Sequence, residues 1–264
     1  MKKIYPAKKM LLSLACAVSL ACTPAAFASD HGANEAQTDK TPTKTIKAAL
    51  EGNDQFRYDH RDKHFEPFQD GQVPNLTVVS CSDSRVHTQL FGIQPDNNIF
   101  IIRNVGNQVT NSEGSVDYGV RHLPTKILLI MGHSGCGAVK AAMGDYSGET
   151  SGIKAELDPL KPVIDADDHQ GDFSVRLGKN VERNVDFQVK AAMELYADKL
   201  KDDQMVIVGG VYDFQNLYGK GRGTLVITNV NGVTDINKII AHPVMESIYK
   251  GTVVNHVGSL APAL

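Results

Sequence analysis

Two stretches, LTVVSCSDSR (residues 76–85) and KILLIMGHSGCGA (residues 126–138), indicate how this chain folds and where its functional site lies. Each begins with an apolar run typical of a buried strand and ends in a cluster of polar residues and cysteine. Residues that follow parallel strands emerge at the carboxyl edge of the sheet, where open α/β folds place their sites. We therefore expect the two clusters to meet at one edge of a parallel sheet.

The remaining apolar segments predict a single α/β domain. Val181, Val185, Val189 and Met193 recur at four-residue steps and predict a long helix over residues 173–200. Strands and helices alternate, which implies a mainly parallel sheet of about four strands plus an edge strand, flanked by helices. Helical spacing of apolar residues from Thr45 onward adds an N-terminal helical arm. The predicted strands are residues 76–80, 98–102, 126–131 and 205–211, with the edge strand at 223–228.

Three connections between these elements have recognisable sequence features. SEGSVDYGVRHL (residues 112–123) predicts a crossover helix capped by Ser112. Residues 145–171 are polar and rich in acids, and we expect a surface excursion there. GKGRGT (residues 219–224) lacks the Lys-Ser/Thr ending of a phosphate-binding loop and precedes a strand, so it predicts a hairpin turn.

The polar clusters after the first and third strands contain four potential metal ligands, namely Cys81, Asp83, His133 and Cys136. Two thiolates, one imidazole and one carboxylate suit a tetrahedral zinc site, so we expect one Zn²⁺ per chain. If only Cys81, His133 and Cys136 bind, one position stays open, which is the pattern of a catalytic site. Water in that position would lose a proton near neutral pH and become a nucleophilic hydroxide.

The position of Asp83 decides between the closed and the open site. Its carboxylate can bind the metal as a fourth ligand, or it can pair with the guanidinium of Arg85, whose geometry suits a carboxylate. In the pair, Asp83 would accept a hydrogen bond from zinc-bound hydroxide and orient it toward an electrophile. A turn held by a purely structural Asp83–Arg85 ion pair is the alternative.

Glycines surround the second pair of ligands. Gly135 and Gly137 permit a tight turn from strand to helix and a close backbone approach. We expect the free amides at the start of the following helix to favour an anionic substrate or product, with Gly137 beside it.

The combination Cys-x-Asp-x-Arg at residues 81–85 and His-x-x-Cys at residues 133–136 resembles the β-class carbonic anhydrases. The resemblance extends over most of the chain after Ala49. It implies a zinc enzyme that interconverts carbon dioxide and bicarbonate, with Asp83 and Arg85 as its catalytic dyad. It also implies that Gln72, in FQDGQVPNLTVVSCSDSR, hydrogen-bonds substrate at a neighbouring subunit's zinc. The amino-terminal helix of the family packs on that neighbour, so we expect a homodimer or a tetramer.

Two positions depart from the pattern of many members. A subset has a Trp three residues before the first Cys, which builds an inhibitory bicarbonate pocket, and here that residue is Val78. We therefore expect the site to remain open, with Asp83 off the metal. His87 stands where many members have Pro or another residue, and it either shuttles protons or caps the next helix.

The amino terminus has the features of an export signal. Residues 1–28 combine four lysines, an apolar run too short to span a bilayer, and the small-x-small motif Ala26-Phe27-Ala28. An uncleaved anchor is one alternative, and a lipoprotein modified at Cys16 or Cys22 is another. We expect cleavage after Ala28, a flexible leader over residues 29–44, a catalytic domain over residues 45–264, and a periplasmic location.

Composition restricts the partners of the mature chain. Removal of residues 1–28 takes away four lysines and no acid, so the formal charge changes from −3 to −7. An acidic chain without a basic run argues against nucleic acid and against stable membrane association after cleavage. Cys81 and Cys136 then remain as the last two cysteines. An exported protein could join them in a disulfide, but the adjacent His133 and Asp83 favour metal binding.

The motifs leave two other functions open. The same scaffold could hydrolyse a related small electrophile such as carbon disulfide. A non-catalytic zinc or thiol sensor would use Cys81 and Cys136 but would not need Arg85 or Gln72.

Overall fold

Five strands form one sheet in the computed structural model, which describes residues 41–167, 169–201 and 204–260. The sheet order is β2-β1-β3-β4-β5, in which β1 to β4 are parallel and β5 is an antiparallel edge strand. The predicted α/β class and the sheet of four strands plus an edge strand are confirmed. The strands are β1 (Leu76–Cys81), β2 (Ile99–Asn104), β3 (Ile127–His133), β4 (Val206–Asp213) and β5 (Thr224–Val230).

Helices flank the sheet and precede it. The helices are α1 (Pro42–Asp59), α2 (Asp62–Phe65), α3 (Glu113–Asp117), α4 (Gly137–Ala142), α5 (Ser151–Leu157), α6 (Lys161–Ile164), α7 (Phe173–Leu195), α8 (Ile236–Ile240) and α9 (Lys250–His256). None of the helices within the described ranges is long and apolar enough to cross a membrane.

Three details differ from the expectations. The arm begins at Pro42 rather than Thr45, because Thr41 caps α1 by accepting from the amide of Lys44. Residues 145–171, expected to form a surface excursion, contain α5 and α6, and Leu157, Leu160 and Val163 within this segment are buried. Ser112 precedes α3 without capping it, since its hydroxyl accepts a hydrogen bond from Asn104 instead. The signal peptide and most of the predicted leader lie outside the described residues.

Helix α7 covers one face of the sheet. Its residues Val181, Val185 and Val189 are fully buried, as their four-residue spacing predicted. Gly132 on β3 and Gly209 on β4 make room for them. A Cβ added at Gly209 would lie 2.7 Å from Cγ1 of Val185, and one added at Gly132 would lie 2.9 Å from Cγ2 of the same residue. The close contact therefore requires glycine at both positions.

The opposite face of the sheet carries a second apolar cluster formed by Val78, Val86, Leu129, Met131 and Val208. Beside it lies a cavity of about 400 Å³, which we call the apolar groove. The lining of the apolar groove comes from β1, β3, β4, β5, the short 3₁₀ turn after β1, and the C-terminal helical region. Its residues are Leu76, Phe91, Ile127, Leu129, Val208, Leu225, Ile227, Val244, Met245, Ile248, Thr252, Val253, His256 and Val257.

The register of β1 and β3 brings the two polar clusters together. Val79 pairs with Ile130 and Ser80 pairs with Met131, so both strands end at the same edge of the sheet. The stretch after β1 and the turn after β3 therefore meet there, as the pattern of the sequence predicts.

Candidate metal centre

Cys81, His133 and Cys136 form a buried cluster at this edge. Cys81 ends β1, His133 ends β3, and Cys136 is the residue before α4. Their sulfur and nitrogen donor atoms all lie within 4.8 Å of one another. The exposed fractions of the three residues are 6 %, 0 % and 1 %. Three of the four predicted ligands are thus assembled by the fold.

The imidazole of His133 is oriented for a metal. Nδ1 lies 3.0 Å from the carbonyl oxygen of Ser134, to which it donates in the tautomer that carries its proton there. Nε2 then presents a lone pair to the cluster. It is buried and has no hydrogen-bond partner within the described part of the chain. A buried polar atom without a partner is costly, and a metal ion at the two thiols would satisfy it.

The two thiols share one proton. A hydrogen bond from Cys136 lowers the pKa of Cys81, against the opposing effect of burial. The same hydrogen bond and burial raise the pKa of Cys136 well above its usual value. Both thiols are free of disulfide. A divalent cation that replaced the shared proton would leave both as thiolates, which is the form that binds zinc.

Backbone amides support the two sulfur atoms. The amide of Gly106 donates to Cys81, and the amides of Val139 and Ala138 donate to Cys136. The amides of Ala138 and Val139 near the start of α4 are therefore directed at the sulfur of Cys136, and the expected contact of this helix end with an anion stays a prediction. Gly137, the first residue of α4, is exposed, and a Cβ at this position would meet open space. Its role in substrate binding stays a prediction.

Taken together, the donors fit a zinc ion. Two thiols and one imidazole with its lone pair unpartnered are ligands that Zn²⁺ prefers, and three protein ligands leave a position for a reacting molecule. The helix, strand ends and amides that hold them are all part of the folded core.

Asp83 and Arg85 form a bidentate ion pair beside the cluster. Nε of Arg85 donates to Oδ1 of Asp83 at 2.8 Å, and Nη2 donates to Oδ2 at 2.7 Å. The backbone amide of Arg85 also donates to Oδ1 at 2.9 Å. Hydrogen bonding to Arg85 lowers the pKa of Asp83 to about 2, so the carboxylate is charged at neutral pH. The structure shows the paired arrangement, and Asp83 as a fourth metal ligand stays the alternative that the sequence left open.

The sequence analysis missed Arg103, which supports the stretch after β1. Its Nε donates to the carbonyl oxygen of Cys81 at 3.1 Å, and its Nη2 donates to the carbonyl oxygen of Asp83 at 2.6 Å. The signal available in the sequence was an arginine on the strand adjacent to β1. Because Ser80 pairs with Arg103 in the sheet, only the register places its side chain beside residues 81–83.

Phe214 was also missed, and it contacts two site residues at once. Its ring lies against the guanidinium of Arg85 and the imidazole of His133. A single aromatic residue after a strand carries no sequence signal for such a role.

Three other residues that the sequence singled out lie in different surroundings, two at the surface and one in the core. Gln72 is exposed in the segment before β1, so its predicted role depends on a neighbouring subunit. His87 is exposed before the 3₁₀ turn Thr88–Phe91 and makes no capping side-chain hydrogen bond, which leaves proton shuttling as its predicted role. Val78 is fully buried in the apolar cluster of the second sheet face.

Comparison with known proteins points to one family. Residues 76–221, more than half of the chain, match the carbonic anhydrase family. Carbonic anhydrase 2 of Mycobacterium tuberculosis is 32 % identical over 109 residues, which are 39 % of this chain and 53 % of that protein. A carbonic anhydrase of Pseudomonas aeruginosa is 28 % identical over 172 residues, 60 % of this chain and 78 % of that one. The chain thus spans about half the length of the first of these relatives.

Solved structures agree in fold. A structure from Sordaria macrospora, described as one of two tetrameric β-carbonic anhydrases, superposes with a TM-score of 0.58 at 28 % identity. The superposition covers 64 % of this chain and 92 % of the Sordaria macrospora chain. A Coccomyxa β-carbonic anhydrase in complex with acetazolamide superposes with a TM-score of 0.61 at 25 % identity, over 76 % and 91 % of the two chains. Since the family match includes the whole of the buried Cys-His-Cys cluster and its Asp–Arg pair, this chain belongs to the β-class carbonic anhydrases.

Proposed function

We propose that this protein catalyses the reversible hydration of carbon dioxide to bicarbonate and a proton, with one Zn²⁺ held by Cys81, His133 and Cys136. The observation that carries the proposal is the buried, unpartnered Nε2 of His133 beside two thiols, with a charged carboxylate at its border. When bound, zinc supplies a Lewis acid that allows water to act as a nucleophile near neutral pH.

Asp83 and Arg85 supply the orientation of the reacting groups. Oδ2 of Asp83 lies 3.8 Å from Nε2 of His133, so the carboxylate borders the ligand cluster without belonging to it. Being ionised, Asp83 accepts a hydrogen bond from the attacking water and fixes the direction of its lone pair. Arg85 holds the carboxylate by two parallel hydrogen bonds, a geometry that lysine cannot reproduce.

A stopped-flow assay of carbon dioxide hydration on the purified protein, with zinc measured on the same sample, tests the proposal. We expect rapid hydration that is lost with the metal and restored by added zinc. Hydrolysis of carbon disulfide without carbon dioxide hydration would favour the alternative substrate. A zinc-loaded protein with neither activity would favour a sensor.

The active protein is a homodimer or a tetramer in this proposal. Helix α1 has no buried residue, and it exposes Ile46 at 57 % and Leu50 at 61 %. Such apolar side chains on an unpartnered helix are stabilised by burial against another surface. The tetrameric description of the Sordaria macrospora proteins supports assembly of this kind. Contact between subunits would also bring the exposed Gln72 to the metal centre of a neighbouring subunit.

The reaction takes place in the periplasm in this proposal. Support comes from the four lysines, the short apolar run and the Ala26-Phe27-Ala28 motif near the start of the chain. Mass spectrometry of the protein from a cell envelope fraction should give a mature chain that begins at Ser29. A chain that retains residues 1–28 in the cytoplasmic fraction would contradict export.

A further inference from the structure

Phe214, in the segment after β4, lies against both the catalytic ion pair and a metal ligand. The guanidinium carbon of Arg85 stands over its ring, 4.6 Å from the ring centroid. The imidazole of His133 stacks on it with centroids 5.8 Å apart and planes 28° apart. The side chain of Phe214 therefore contacts both Arg85 and His133, which flank the carboxylate of Asp83 in space.

The segment that carries Phe214 is itself held firmly. Asp213 is fully buried, and its carboxylate accepts from the amide of Gln215 at 3.2 Å and from the amide of Tyr218 at 2.9 Å. The amide of Gln215 also lies 3.2 Å from the hydroxyl of Ser134, in the turn that follows His133. These bonds fix the backbone on both sides of Phe214 relative to the metal-binding turn.

Arg85 needs such a support. Its side chain is 37 % exposed and joins Asp83 at the edge of the site, where an ion pair by itself is weakly constrained. Besides Asp83, its Nη2 reaches the carbonyl oxygen of Gly135 at 3.3 Å, a long hydrogen bond. An aromatic face under the guanidinium restricts the plane of the group through the cation–π attraction. With that plane fixed, both donors of Arg85 point at Asp83.

We infer that Phe214 is a positioning residue, which holds the Arg85 guanidinium in the plane that keeps Asp83 paired and directed at the reacting water. The inference rests on the proposed carbon dioxide hydration. In this inference Phe214 acts through the cation–π attraction between its ring face and the guanidinium, and not only by filling space with an apolar side chain.

The test compares three variants of the full-length, zinc-loaded protein. Phe214→Leu keeps an apolar side chain but removes the ring, and Phe214→Tyr keeps the ring. Phe100→Leu makes the same change as Phe214→Leu at a residue of β2 whose ring packs against Tyr118. A cation–π contact at a partly exposed site is worth about 1 kcal/mol, so kcat/KM for hydration should fall roughly fivefold in Phe214→Leu. Phe214→Tyr and Phe100→Leu should retain kcat/KM within about twofold.

A second readout is independent of activity. The guanidinium carbon of Arg85 stands over the Phe214 ring, so the ring current should shift the Nε–H resonance of Arg85 upfield. The resonance is assigned by its disappearance in Arg85→Lys. It should move downfield in Phe214→Leu and stay in place in Phe214→Tyr and Phe100→Leu. Zinc content and melting temperature are measured on every variant. If Phe214→Leu does not fold, Phe214→Met takes its place with the same expected results.

The outcomes separate this inference from the proposed function. An unchanged Arg85 resonance in Phe214→Leu overturns the positioning role, whatever the activity does. Unchanged kcat/KM in that variant overturns it as well, while hydration by the wild-type protein still supports the proposed function. If the wild-type protein does not hydrate carbon dioxide, the proposed function fails, and the resonance still shows whether the ring lies over Arg85.

Discussion

Oδ2 of Asp83 lies 3.8 Å from Nε2 of His133 and accepts a hydrogen bond from Nη2 of Arg85 at 2.7 Å. The carboxylate is therefore next to the ligand cluster, but its direction is set by the guanidinium. A move of Asp83 toward a bound metal would break the two hydrogen bonds from the Arg85 side chain. By holding Asp83 away from the cluster, the ion pair would leave the fourth position of a bound zinc ion to a reacting molecule.

Removal of Arg85 should release Asp83 and reduce catalysis without removing the metal. We expect Arg85→Ala to lower kcat/KM for carbon dioxide hydration by about 10² or more, as the loss of a preorganised charged group does, while zinc content is unchanged. Stopped-flow hydration and atomic emission measure the two quantities. Arg85→Lys is the matched control, because it keeps the charge but cannot donate in bidentate fashion. Full activity in Arg85→Ala would reduce the pair to a structural ion pair.

Loss of a ligand sulfur should remove the metal itself. Cys136→Ser should leave the protein with far less than the one zinc per chain expected of the wild type, and hydration should disappear with it. Ser84→Ala, a change at an exposed residue of the loop after β1, serves as the control and should bind zinc normally. A Cys136→Ser protein that retains full zinc by atomic emission would contradict the assignment of this ligand.

Hydration should rise with pH through the range around and above roughly 7, with the slope of a single ionisation. Hydrogen bonds from Arg85 lower the pKa of Asp83 to about 2. A lowered carboxyl pKa stabilises the folded pair above about pH 4, and this stability is lost only as the pH falls toward 2. Asp83 therefore stays paired throughout the assay range. A slope well above one proton, or a low-pH crystal with Asp83 bound to the metal, would show that the site closes.

Asp186 should make stability depend on pH in the opposite direction. Burial raises its pKa to about 7, although Nδ2 of Asn229 donates to its Oδ1 at 2.8 Å, and the charge of Glu182 raises it further. Between about pH 4 and 7 the folded chain then holds a proton that the unfolded chain releases. The free energy of unfolding should therefore fall as pH rises through this window, by at most about 1.4 kcal/mol per pH unit from this group.

The substitution Asp186→Asn isolates that contribution, because an amide keeps the acceptor for Asn229 and cannot ionise. Urea unfolding at pH 5 and pH 8 should show a smaller loss of stability in the variant than in the wild type. Equal losses in the two proteins would mean that Asp186 is ionised in the folded state at both pH values.

The exposed apolar side chains of α1 should be needed for assembly. Replacement of both Ile46 and Leu50 by Ser should lower the mass measured by light scattering toward that of one chain, since both side chains are more than half exposed within their own subunit. Lys47→Ser, on the same helix, is the control and should leave the mass unchanged. A fully active wild-type monomer at assay concentration would refute the proposed oligomer.

The sequence alone was sufficient for the strands and for the grouping of the candidate metal ligands. Apolar runs of strand length preceded both ligand clusters, and parallel strands necessarily bring their carboxyl ends to one edge of the sheet. Cys81, His133 and Cys136 could therefore be grouped before any distance was known. The four-residue spacing of Val181, Val185 and Val189 likewise predicted α7, because helical periodicity is a local property. The pairing of Asp83 with Arg85, two residues apart, was one of the two arrangements that the chemistry of the carboxylate predicted.

The tertiary structure alone decided which residues support that site. Phe214 reaches it from the segment after β4 and Arg103 from β2, and their contacts depend on strand order and register rather than on any local pattern. The cap predicted at Ser112 failed for the same reason. The hydroxyl of Ser112 accepts a hydrogen bond from the side chain of Asn104 and does not cap α3. Long-range contacts of this kind are fixed by the packing of the whole sheet, which a single sequence read locally does not contain.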